Sequence, residues 1–144
     1  MMATYGKTIV VALLLAAGNA VAGEVITVVE RANTDAVTDL GAKGDSAGDL
    51  LTFANPVFDK QNKNQVGTDQ GYCVRTVAGK AWECAWSMSL KDGAITVAGP
   101  FLDAGDSVLA ITGGTGRYAA ARGQMKLHAR NAKGTEYDFV YELQ

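Results

Sequence analysis

Few side chains in this sequence have a type and spacing that could do chemistry. Glu30 ends an apolar run and would share a face with Ile26 and Val28 if that run is extended. Turned inward, it would be a carboxylate in a low dielectric, with its pKa raised or a cation held against it. Arg75, two residues beyond Cys73 and on the same face, could be that cation. Turned outward, Glu30 would be a strand-end acid in water beside Arg31, and the pattern alone leaves both readings open. His128 is the single histidine, and nothing joins Cys73 and Cys84 to complete a zinc set, so no metal is expected. A triad of Ser107, His128 and Asp106 lacks a nucleophile elbow, and His128 alternates with Lys126 and Arg130 as on a solvated face. Gly114-x-Gly116-x-x-Ala119 matches a short dinucleotide pattern, yet the segment after it is short, contains Gly123 and has no βαβ repeat around it. A turn that needs glycine backbone angles explains it better.

The elements that must position these groups read as strands. Seventeen glycines against two prolines, with short apolar runs between turn signals, describe an all-β chain. Strands are expected over 24–30, 49–53, 66–77, 82–90, 94–101, 107–112, 123–130 and 135–143. Residues 33–48 read as a loop, Asn55-Pro56 as an interruption, and 59–64 as a polar turn. Lys91-Asp92-Gly93 carries the Asp-Gly pair of a tight hairpin. About eight strands with no crossover helix fit a closed, eight-stranded antiparallel β-barrel, which leaves no open edge. Alternation puts Trp82, Cys84, Trp86 and Met88 on one face. A two-residue loop at Ala78-Gly79 would set Cys73 opposite Cys84, as a cross-strand disulfide requires.

The N-terminus reads as a cleaved signal peptide over 1–22: Lys7, then an uncharged apolar stretch, then Ala20-Val21-Ala22 before Gly23. The stretch is shorter than the roughly 20 residues of a spanning helix. Residues 23–144 would then form a single secreted or periplasmic domain with no membrane span, in a compartment that favours a Cys73–Cys84 disulfide. With 13 basic and 15 acidic residues and no basic cluster, a nucleic-acid partner is not expected.

Several blocks resemble a known family. Gly48-Asp49-Leu50-Leu51-Thr52-Phe53-Ala54-Asn55, Gly71-Tyr72-Cys73-Val74, Val97-Ala98-Gly99-Pro100-Phe101-Leu102 and Leu109-Ala110-Ile111-Thr112-Gly113-Gly114-Thr115-Gly116 are similar to the plant allene oxide cyclases. The continuation Arg117-Tyr118-Ala119-Ala120-Ala121-Arg122-Gly123 resembles the dirigent proteins still more. The resemblance implies an eight-stranded barrel with a hydrophobic lumen, no cofactor, and a homo-oligomer (dimer or trimer). It places Glu30, Asn55 and Cys73 at lumen positions of the cyclases. Two polar positions depart from that pattern, as Ala32 and Phe101, which puts the cyclase substrate in doubt. The expectation is a cofactor-free cyclase or isomerase that takes one small hydrophobic molecule. Glu30 and Asn55 would be catalytic, and Trp82, Trp86, Phe101, Arg75 and Cys73 would bind substrate. A dirigent-like stereochemical guide and a lipophilic-ligand carrier are the alternatives.

Overall fold

A computed structural model describes residues 23–144. The expected signal peptide, 1–22, lies outside the described residues.

Nine strands follow one another: β1 Val25–Arg31, β2 Ala36–Thr38, β3 Leu50–Phe58, β4 Gln65–Val77, β5 Ala81–Leu90, β6 Gly93–Leu102, β7 Ser107–Gly114, β8 Gly123–Ala129 and β9 Glu136–Leu143. All pairings are antiparallel, in the order β1-β9-β8-β7-β6-β5-β4-β3. Val29 opposite Phe58 and Glu30 opposite Val57 join β3 back to β1 and close the cylinder. The barrel is therefore eight-stranded, with β2 as an extra strand on the other half of β3.

Period-two alternation makes the lumen. On β5, Trp82, Cys84, Trp86 and Met88 are buried while their neighbours are not. Met88, Ile95, Leu109, Met125, Val57 and Tyr141 have almost no exposed surface and fill the interior. The hairpin between β5 and β6 uses the expected tight turn, with Leu90 opposite Gly93. Gly93 has φ +147°, and a Cβ there would collide with the Thr115 carbonyl. The glycine cluster after β7 folds onto this hairpin through Thr115 N–H to Ala94 O and Arg117 N–H to Asp92 O. It turns once as a 3-10 segment, Gly116–Tyr118, so the dinucleotide pattern is a packing turn.

Three local expectations are corrected. The strand at Asn55-Pro56 is not interrupted: β3 runs on to Phe58. Pro56 falls where the ladder passes from β2, ending opposite Thr52, to β1, starting at Val57, so a missing N–H fits the gap. The span 33–48 is not all loop, because residues 36–38 pair with Leu50, Leu51 and Thr52. The β4–β5 connection is one residue longer than expected, with Val77 opposite Ala81. A bulge between Arg75 and Val77 absorbs the extra residue and restores Cys73 opposite Cys84.

Candidate functional site

The site is built from the inward residues of β3, β4, β5, β6, β8 and β9, together with Glu30 of β1. Gly71 sits opposite both Phe53 and Trp86, and a Cβ there would strike the Trp86 backbone and Cβ. Its bare backbone lets the two rings meet edge to face across β4, with centroids 5.9 Å apart. Phe139 lies 5.6 Å from Trp86 on the far side, and Phe101 meets Tyr137 edge-on at 6.0 Å. These five rings, with Leu51, Leu127, the Cys73–Cys84 disulfide, Glu30 and Asp35, line a cavity of about 40 Å³. Counted out to its open mouth, the atom-free space reaches about 370 Å³. A volume of 40 Å³ holds roughly three water molecules. A larger guest must therefore displace lining side chains, of which Phe53, Phe101 and Tyr137 are the half-buried rings.

Carboxylates gather at the base. Glu30 is 5 % exposed and faces the lumen, as the inward reading required. Asn55 is fully buried, and its Nδ2 donates to Glu30 Oε1 at 2.7 Å and to Asp35 Oδ1 at 2.8 Å. Its Oδ1 accepts from the Asn33 and Thr34 amides at 2.9 Å each and from Thr34 Oγ1 at 3.0 Å. Both amide protons are engaged, so Asn55 holds carboxylates and the 33–35 segment in place. Asp69, beside Asn55 in the ladder, is fully buried and neither of its oxygens has a hydrogen-bond donor. Burial pushes the Glu30 carboxyl well above its ordinary range, and the neighbouring Asp69 charge pushes it further. Burial likewise raises Asp69, to about 7, against the help of its contact with Glu30. Two acceptors in contact with no donor between them are stable when they share one proton. Glu30 and Asp69 are such a pair. Above them, burial and the Glu30 charge raise the Tyr137 phenol.

Sequence reasoning named Glu30 and Asn55 and missed Asp69. The signal was present: Asp69 has the same parity on its strand as Cys73 and Arg75. Cys73, Trp86 and Phe101 line the cavity, but Trp82 and Arg75 do not. Arg75 is not the partner of Glu30. Its Nε donates to Asp45 and its Nη1 to Asp103, both at 2.6 Å, and its guanidinium lies 4.1 Å from the Trp82 ring. Cys73, bonded to Cys84, offers no thiol. The notional triad is split across the barrel wall: His128, exposed, contacts Asp106, while Ser107 is buried and accepts from the Leu102 amide.

The sequence profile of allene oxide cyclase matches residues 24–132. The chain belongs to the allene oxide cyclase family. Among solved structures, a pyocyanin demethylase superposes with a TM-score of 0.72 at 25% identity, covering 84% of this chain and 100% of its own. A pterocarpan synthase dirigent protein gives 0.67 at 16%, covering 84% and 96%. A Diels-Alderase from Streptomyces koyangensis gives 0.68 at 17%, covering 85% and 69%. These structures share the barrel, and one such fold carries more than one chemistry. No helix among the described residues is long and apolar enough to cross a membrane. The disulfide fits an oxidising compartment.

Proposed function

We propose that this family member is a cofactor-free isomerase that closes a ring in a small, largely apolar molecule bound at the mouth of the lumen. The carrying observation is the buried Glu30–Asp69 pair under an aromatic chamber, two carboxyl groups with no protein donor for Asp69. The proton they share is available at neutral pH, because both groups hold it above their ordinary range. Glu30, which lines the cavity, would lend that proton to a substrate oxygen as the ring-closing bond forms. It would recover a proton from the carbon or hydroxyl that loses one. No atom is gained or lost overall, as an isomerisation requires. Confinement among Phe53, Trp86, Phe101, Tyr137 and Phe139 would supply the rest, since aligned intramolecular reactions gain roughly 7–11 kcal/mol over unaligned ones. Asn55 acts as a positioning residue, aiming Glu30 through its Nδ2.

Secretion, with removal of 1–22, belongs to the same reading and agrees with the disulfide. The test is native mass spectrometry of ligand retained through purification, followed by incubation of that ligand with wild type and Glu30→Gln. Conversion to an isomer of equal mass is expected, slowed by roughly 100-fold or more in Glu30→Gln while binding persists. An unchanged rate in Glu30→Gln removes the proton transfer. A changed product stereochemistry with no rate gain would make the barrel a dirigent-like guide, and a ligand returned unaltered would make it a carrier.

A further inference from the structure

We infer that the guest of this lumen is an organic nitrogen cation with an apolar body, a base protonated or alkylated at nitrogen. The inference rests on the proposed binding of a small molecule in the lumen and specifies its charge.

Three carboxyl groups, Glu30, Asp35 and Asp69, stand within and just behind the cavity, and no lysine, arginine or histidine lines it. The cations that could have offset them are engaged elsewhere. Arg75 is held by Asp45 and Asp103, Arg31 by Asn62 and Glu136, Arg130 by Asp138, Arg117 by Glu24, and Lys126 by Glu142. Asp69, fully buried behind Glu30 and outside the cavity's own lining, has no partner for either oxygen beyond the proton it shares with Glu30, so the pair keeps a negative charge that no protein cation offsets. Directly above stand the faces and edges of Phe53, Trp86, Phe139, Phe101 and Tyr137. Aromatic faces attract an organic cation through their quadrupoles, most strongly where water is excluded. An anionic guest would meet like charge instead.

A metal ion is the other species such acids could take. The carboxylates do not converge as ligands, and among the described residues no group of three His, Cys, Asp or Glu side chains could hold one. Asn55 also holds Glu30 and Asp35 apart, with one amide proton on each. A diffuse positive charge on a flat or rounded apolar body satisfies both the rings and the acids. A hard, strongly hydrated ion would pair with the acids and leave the rings without a partner.

The experiment uses two probes of nearly the same shape and different charge, 1-methylquinolinium and 1-methylnaphthalene, with 1-naphthoate as the anion. Each is titrated into the disulfide-bonded protein by calorimetry and by NMR of the Phe53, Trp86 and Tyr137 ring signals. The quinolinium is expected to bind at least about tenfold more tightly than the naphthalene, and the naphthoate not at all. In Glu30→Gln/Asp69→Asn the tenfold gap is expected to narrow to about two- or threefold. Equal or tighter binding of the naphthalene overturns the inference and leaves the lumen a small-molecule site. Quinolinium binding that is indifferent to the double substitution overturns it too, since the charge recognised would lie on the outer surface. If no probe moves the ring signals, the inference falls together with the lumen-binding reading.

Discussion

Two aspartates with almost no exposed surface, Asp49 at the start of β3 and Asp69 on β4, meet opposite treatment. Asp49 accepts four hydrogen bonds, from the Leu40, Gly41 and Ser46 amides and from Ser46 Oγ. The Ser46 amide above all, with the other donors, holds its carboxyl below the usual range. The same region binds Arg75 on both sides, with Gly48 N–H to Arg75 O and Arg75 N–H to Asp49 O. Neither Asp69 oxygen has a partner in good hydrogen-bonding geometry; the nearby Asn55 and Asp69 amides draw its carboxyl down only in part, and burial still raises it to about 7. Both side chains are covered from solvent, but Asp49 lies just beneath a surface loop and Asp69 deep within the barrel, and the supply of donors differs as well. A carboxylate that ties a loop down is given backbone amides. A carboxylate left short of donors in a packed barrel weakens the fold, which marks it as a candidate for a role other than stability.

The contrast breaks most visibly at Asp49. Asp49→Ala removes the acceptor for three loop amides, and hydrogen bonds to a charged group are among the more valuable ones. We expect a fall in Tm of roughly 10 °C or more, with faster proteolysis of 39–48. A Tm within 2 °C of wild type, beyond a scatter of about 1 °C, would show that the four bonds are no better than those to water.

Asp69→Asn should move stability the other way. Between about pH 4 and 7 the unfolded chain has released its Asp69 and Glu30 protons while the folded protein retains them. The folded state then binds more protons than the unfolded one, so stability falls as pH rises through that window and levels off above about 7 for Asp69. Asp49, with its lowered pKa, has the opposite slope: its contribution is present above about pH 4 and is lost as the solution is made more acid. Asp69→Asn is thus expected to raise Tm by roughly 5 °C at pH 7.5, with almost no gain at pH 4. An equal gain at both pH values would mean that the side chain acts by packing, with its charge irrelevant.

The sequence made the two aspartates unequal to read. The barrel was legible because period-two alternation and Gly-rich turns specify strand faces, and the same rule put Glu30 on one face with Ile26 and Val28 while leaving open whether that face pointed inward. It put Asp69 on one face with Cys73 and Arg75 equally well, yet a lone acid between Thr68 and Gln70 stands out only once its strand is known to face a lumen. Asp49 was legible as part of a family-like block, while its donors come from loop residues 40, 41 and 46, whose path no periodicity sets. For the same reason Arg75 was matched to Glu30 by face. Its true partners, Asp45 and Asp103, lie on loops that converge from distant parts of the chain. Short β2, three exposed residues, carries no apolar pattern to detect.

Asn55 stands between the two extremes, fully satisfied itself and holding one of the poorly satisfied pair. Thr34 probes how much of that hold is redundant. Its hydroxyl donates to Asn55 Oδ1 and accepts from the Ala54 amide at 2.7 Å, so Thr34→Val removes two hydrogen bonds on the rim. The Asn33 and Thr34 amides still reach Oδ1, and both Nδ2 protons keep their carboxylates. The expected loss is about 1 kcal/mol, visible as a few degrees in Tm, with the pH dependence of stability between 4 and 7 unchanged in shape. A pH profile flattened by Thr34→Val would mean that the amide had rotated away from Glu30. The side chain that keeps the proton-sharing pair in register would then be the threonine hydroxyl, just past the end of β1 and linked to Glu30 only through Asn55.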